Sequence, residues 1–175
     1  MVTINSTPLI YFAKVEKLGL IFDVLGRVQI PPEVYHETVI VGKSLGYRDA
    51  YVIDSYVGKG YIILHELDEE AIKRAKRIAL WTRIDFGEAQ VIVLALQKNE
   101  TVVIMDDPRA RNVAMMYGLR PRGTLYILYQ ATRIGKISRK EAHKILDEMI
   151  DKNFRISADL YKRFLKKLYS NTNTK

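Results

Sequence analysis

Apolar residues along this chain follow two rhythms. Short runs rich in β-branched residues, at 2–5, 28–30, 61–64 and 101–105, alternate with longer segments whose apolar positions recur every three or four residues. The first rhythm suits strands and the second suits amphipathic helices. The run 101–105 is unbroken enough to read as a parallel strand covered on both faces. It stops at Asp106 and Asp107, and Pro108 suits the first position of a following helix. Helices are expected at 8–15, from Pro32 through Ile40, and at 46–57, 69–81, 85–98, 108–117 and 123–134, with a short last strand at 119–121. Gly58-Lys59-Gly60 breaks the chain before its third strand, and Gly118 is a natural helix stop. Two more helices close the sequence. Ser138 caps one, with Glu141 at capping-box spacing, and Ser157 caps the other.

Short strands alternating with helices predict an α/β protein, a three-layer α/β/α sandwich around a central parallel sheet. The 175 residues suffice for one domain with a substantial core. Residues 1–135 form its α/β body and residues 136–175 a helical extension of the same domain. The carboxyl edge of such a sheet is where ligands bind.

Composition narrows the function. No apolar run approaches the roughly 18 residues of a membrane span, and the N-terminus has no signal-peptide pattern. No membrane partner and a cytoplasmic location are therefore expected. Cys is absent, which removes disulfides and cysteine-ligated zinc. The net charge of +8 is unevenly spread. Residues 1–107 carry 12 Lys/Arg against 15 Asp/Glu, while residues 108–175 carry 16 against 5. A basic surface beside an acidic cluster suits a protein that grips a polyanion and presents metal ions to it. A solvated basic tail is the plainer alternative.

The candidate chemistry lies at strand ends and helix starts. Asn5 ends the first strand, Asp106 and Asp107 end the fourth, Glu37 follows Pro32 by a turn and a half, and Glu88 opens the helix after Arg83-Ile84. Carboxylates gathered at one sheet edge repel unless cations sit among them. Hard oxygen donors favour Mg²⁺ or Mn²⁺, and such clusters suit phosphodiester cleavage. Each residue also has a plainer role. Asp107 can cap a helix that starts with proline, Asp85 and Glu88 have capping-box spacing, Glu37 can be a solvated helix residue, and Asn5 a core amide.

The cations and aromatics divide in the same way. Arg109 and Arg111 can hold phosphate or sit on a solvated helix face. Lys166 and Lys167, with Lys162 and Arg163, line one face of the last helix opposite Leu160, Phe164, Leu165 and Leu168, for solvent, RNA or a partner. The three histidines show no ligand spacing. Tyr47, Tyr51, Tyr56 and Tyr61 can stack bases, pack internally or form a dimer seam.

Taken in order, these residues resemble the PIN-domain family. Asn5-Ser6-Thr7-Pro8-Leu9-Ile10 is similar to its opening, usually Asp-Thr-Ser-x-Leu-Ile. Ile30-Pro31-Pro32-Glu33-Val34-Tyr35-His36-Glu37 resembles the second strand and the helix bearing an acid. Asp85-Phe86-Gly87-Glu88-Ala89 and Met105-Asp106-Asp107-Pro108-Arg109-Ala110-Arg111 look like the third and fourth acidic elements of a VapC-like prokaryotic subfamily. The stretch from Gly118-Leu119 to Gly123-Thr124-Leu125 is similar to that subfamily too. The resemblance covers about residues 2–135.

It implies a metal-dependent endoribonuclease, commonly the toxin of a VapBC-type pair with a small antitoxin protein as partner and often a homodimer. The implied catalytic residues are Glu37, Glu88 and Asp107, with Asn5 and Asp106 joining them as metal ligands. Arg109, Arg111, Lys166 and Lys167 are the RNA-binding candidates. Two positions depart from the pattern. Asn5 stands where the family nearly always has its first Asp, and Met105 where the superfamily often has a hydroxyl. An amide offers one neutral oxygen where a carboxylate offers two charged ones. The rival expectation is therefore a catalytically weakened PIN-fold protein that binds RNA or a partner, unless Asp106 compensates.

Overall fold

In the computed structural model, which describes residues 1–170, five three-residue strands lie side by side in one parallel sheet. They are β1 (Val2–Ile4), β2 (Val28–Ile30), β3 (Ile62–Leu64), β4 (Val102–Ile104) and β5 (Arg120–Arg122), in the order β3-β2-β1-β4-β5. Registers such as Thr3 opposite Gln29 and Val103 fix β1 at the centre. Helices cover both faces in a three-layer α/β/α arrangement. The C-terminal end of the described chain adds to the same core, and the last five residues of the expected extension lie outside the described residues.

The helices that place the acidic residues follow directly from local sequence. After β1 comes α1 (Ser6–Lys14), two residues earlier than expected, because Pro8 is tolerated within a first turn whose N–H groups have no helical partner. Next is α2 (Gly19–Leu25), which the periodicity did not predict. It is held by tertiary packing, with Phe22 stacked on Tyr56 at a centroid distance of 5.0 Å and 5.1 Å from Tyr61. Tyr56 therefore packs internally, Tyr61 covers Phe22 while staying partly open to solvent, and Tyr47 and Tyr51 are exposed.

Pro32 starts α3 (Pro32–Tyr35), which continues as a π-helical stretch (His36–Val41) and a last turn, α4 (Gly42–Ser44). The Thr38 hydroxyl donates to the Val34 carbonyl at 2.7 Å within this stretch. Then follow α5 (Arg48–Gly58) and α6 (Glu69–Thr82) with its Asp68 cap. The central helix α7 (Phe86–Gln97) is buried continuously from Gly87 to Ala95, and an all-round apolar helix belongs in a core. Beyond β4 and β5 lie α8 (Pro108–Met116) and α9 (Thr124–Arg133). The chain ends in α10 (Arg139–Asp151) and α11 (Ala158–Tyr169), capped by the Ser138 and Ser157 hydroxyls at 3.1 and 3.2 Å. Phe154, Phe164 and Leu168 join the main core. Among the described residues no helix is long and apolar enough to cross a membrane.

Candidate active site

The chain builds β1, β2 and β3 outward in one direction and then returns to set β4 on the other side of β1. That reversal opens a crevice at the carboxyl ends of β1 and β4, the usual ligand position in an open parallel sheet. Asn5 sits there, 4% exposed, its backbone N–H donating to the Ile104 carbonyl at 2.8 Å. Its side chain makes no cap bond to α1. The Ser6 hydroxyl donates to Asn5 Oδ1 over a long 3.5 Å, and its closeness to Glu37 opposes in part the burial that raises the Glu37 pKa. Among the described residues no fully buried side-chain nitrogen or oxygen lacks a partner. The amide nitrogen of Asn5, which takes no protein hydrogen bond among the described residues, is therefore not fully buried.

Glu37 and Glu88 meet across this crevice from different elements. Glu37 comes from the π-helical stretch and is half-buried, while Glu88, in the first turn of α7, is 8% exposed. Burial raises the pKa of both. For Glu88 the value is pushed up to about 7, by burial first and then by the charges of Asp107, Asp85 and Glu37. Asp85 and Glu33 also raise Glu37. Glu88 thus feels three other carboxylates at this edge, with Asn5 beside them. Glu88 Oε2 accepts the Asp85 N–H at 3.1 Å and the Asp85 side chain faces the Glu88 N–H, which together make the expected capping box, and among the described residues Oε1 takes no protein hydrogen bond. The N-termini of α1, α7 and α8 all open toward this edge, and their positive ends offset part of the repulsion.

The adjacent aspartates at the end of β4 take separate tasks. Asp107 caps α8 through one oxygen, Oδ1, which accepts the N–H groups of Arg109 and Ala110 at 2.8 and 2.9 Å. Its Oδ2 takes no protein hydrogen bond among the described residues, so capping and ligation are compatible. Asp106 instead spends both oxygens on Thr124. Oδ1 accepts the backbone N–H at 2.9 Å and Oδ2 the hydroxyl at 2.7 Å. Burial raises the Asp106 pKa, with Thr124 and then Arg111 opposing it. Arg111 donates to the Met105 carbonyl at 3.1 Å and Arg109 to the Arg83 carbonyl at 2.9 Å. Lys167 lies over the Tyr129 ring at 4.3 Å, and Lys166 is exposed on α11.

Three positions that sequence reasoning passed over shape this site. Ser6 links Asn5 to Glu37. Gly87 permits a close approach, since a Cβ there would come within 2.8 Å of Glu37 Oε1. Gly123 does the same for Asp106, at 2.5 Å from Oδ1. Both glycines stand inside motifs that carry the resemblance, Gly87 beside the acids of one and Gly123 in a stretch without acids. Among the described residues no three His, Asp or Glu side chains already stand together as a cation cage. The donor set nevertheless fits a hard divalent cation in its chemistry. Every donor is oxygen, among the described residues Asp107 Oδ2 and Glu88 Oε1 are uncommitted, and Glu37 and Glu88 are raised first by burial and then by neighbouring negative charge, which a cation would relieve.

Comparison with known proteins agrees with this architecture. The family model described as a PIN domain matches residues 1–170. The match runs through α10 and α11, beyond the residues whose motifs carry the resemblance. No curated protein matches the chain.

Proposed function

The chain belongs to the PIN-domain family, a nuclease-type fold, and from that premise we propose that it is a divalent-metal-dependent endoribonuclease. What carries this reading is the convergence of Glu37, Glu88 and Asp107, from three separate elements, beside Asn5 at the sheet's switch point. In this proposal Glu37, Glu88 and Asp107 hold Mg²⁺ or Mn²⁺ through carboxylate oxygens, and Asn5 contributes its amide oxygen. A bound cation of this kind activates water and stabilises the leaving oxygen of a phosphodiester. Ser6 and Gly87 position Glu37, the α8 cap positions Asp107, and the Asp85 N–H positions Glu88. Arg111 beside the site offers charge to the RNA backbone. A toxin role, with a small antitoxin protein and a homodimeric assembly, is the finer part of the proposal. A neighbouring reading frame encoding a small DNA-binding protein would support it.

Purified protein should cleave a mixed RNA pool with Mg²⁺ or Mn²⁺ and not with chelator, and Glu88→Gln should remove the activity. Asp107→Asn should keep the α8 cap, because Asn caps as well as Asp, yet lose the rise in melting temperature that metal gives to a native-state site. Absence of any metal-dependent cleavage sinks the nuclease reading. The second reading, a weakened PIN-fold binder of RNA or partner, has its own observation. Asn5 lacks a charge, and the neighbour expected to compensate, Asp106, is engaged by Thr124 through both oxygens.

A further inference from the structure

A cleft of about 940 Å³ opens beside the acidic crevice, and it is built largely from the C-terminal part of the chain. Asp106, Pro108 and Arg111 form its inner end. One wall is α9 with Tyr126, Tyr129 and Arg133, the other is α11 with Arg163 and Lys167, and Arg155 enters from the loop between α10 and α11. Six cationic side chains, counting Arg122, face one carboxylate, that of Asp106. Outside the cleft some cations are neutralised locally, as Lys136 is by Asp23 at 2.8 Å. Here only Arg163 is paired, with Asp159 at 2.9 Å. Among the described residues Arg111, Arg122, Arg133, Arg155 and Lys167 have no carboxylate within ion-pair distance. Five unneutralised cations around one recess make a site for a polyanion.

The aromatic residues narrow the class of polyanion. Arg122 lies over the Tyr126 ring at 5.6 Å and Lys167 over Tyr129 at 4.3 Å. Aromatic faces interleaved with cations are how proteins hold single-stranded nucleic acid, stacking bases while phosphates meet the charges. Along α9 the step from Tyr126 to Arg133 spans roughly 10 Å at 1.5 Å per residue, room for a few nucleotides. A recess of this volume is on the scale of a small-molecule pocket. It has no room for a duplex, which is gripped across a wide groove face.

We propose that this cleft is a single-stranded RNA subsite, through which the strand passes from the acidic crevice outward between α9 and α11. The inference rests on the ribonuclease reading only for the choice of RNA as the polymer. The C-terminal helices then have a task in substrate handling as well as in packing.

The test is fluorescence anisotropy of the full chain with a short fluorescein-labelled oligouridylate in chelator, so that cleavage does not enter. Arg133→Glu with Arg155→Glu should weaken binding at least tenfold and flatten the salt dependence by about two contacts' worth. The same charge change outside the cleft, Arg139→Glu with Lys140→Glu at the start of α10, should cost no more than about threefold through net charge alone. Tyr129→Leu, with an unchanged melting temperature, should cost about tenfold for one lost base stack. Equal losses in the cleft pair and the control pair would overturn the proposal. Duplex RNA binding as tightly as the single strand would overturn it too. So would a labelled decaglutamate peptide that the cleft pair fails to bind while its RNA affinity is unchanged, because the cleft would then belong to an acidic polypeptide. Full cleft-dependent binding in a protein that never cleaves RNA overturns the nuclease reading and supports the subsite.

Discussion

At Asn5 a neutral amide stands among carboxylates, and reversing that substitution gives a test with two opposite signs. Asn5→Asp adds charge beside Glu37, so in chelator its melting temperature should fall. With Mg²⁺ or Mn²⁺ the upward shift should exceed that of the parent, since a unit charge beside a divalent ion is worth several kcal/mol at an effective dielectric near 20. Cleavage should appear or increase with it. A variant that binds metal no better would make Asn5 a structural amide and remove it from the site. Gly87 offers a second pair of opposed signs. Its added Cβ in Gly87→Ala would meet the flexible end of Glu37 at 2.8 Å, which can swing aside. Ala is favoured over Gly in a helix by about 1 kcal/mol, so stability should hold or rise while the metal-induced melting shift shrinks. A fall in chelator stability of more than about 1 kcal/mol would show that Glu37 cannot move and that the close contact is part of the core.

Among the elements, those announced by local chemistry are where sequence alone locates them. Pro32 and Pro108 begin helices, Ser138 and Ser157 cap them, and the Val-Val-Ile run of β4 is a buried strand. Glu37, Glu88 and Asp107 are singled out by the family resemblance of the motifs around them, and their role in a site is part of the proposal. Contacts distant in sequence were not legible. The seven-residue α2 is too short to be stable by itself and exists because Phe22 finds Tyr56 and Tyr61. The π-helical stretch that carries Glu37 has no composition to betray it, although such stretches recur at functional sites. Asp106 reads as a ligand by adjacency, and only the approach of Thr124 across the β4–β5 edge reveals its other partner. Caps give a direct measurement at this scale. Ser157→Ala, which removes the hydroxyl that accepts the Leu160 N–H, should cost about 1 kcal/mol in urea unfolding. Because α11 walls the basic cleft, RNA affinity should fall with it. Unfolding equal to the parent's would mean that the start of α11 is already frayed.

For the molecule as a whole, the buried acids set the direction of its pH response. Glu88 titrates near 7 when folded and near its ordinary value when unfolded, so the cost of its charge is absent at pH 4 and complete above pH 7. Glu37, Glu100 and Asp106 are raised too, each chiefly by burial, and act in the same direction. In chelator, stability should therefore decline from about pH 5 to 8 by an amount on the order of a few kcal/mol. His65, whose pKa burial lowers, works the other way over part of that range, so the comparison that decides is with Glu88→Gln. Denaturant unfolding of that variant should lose the Glu88 share of the slope, and Mg²⁺ or Mn²⁺ should flatten the parent's slope. A parent and variant with identical pH profiles would place Glu88 in water.

Assembly is constrained by the outermost strand. In β5, Arg120 donates to the Thr101 carbonyl and Arg122 accepts from Met105, so both turn their peptide groups inward, and the residue between them, Pro121, turns outward. A proline has no N–H to offer. The free margin of the sheet therefore lacks the donor that an incoming strand requires, and two arginines flank the gap. Self-association by strand addition, the route toward fibrils and swapped sheets, is closed on that side, so a dimer of this chain must be made through its helices or at β3.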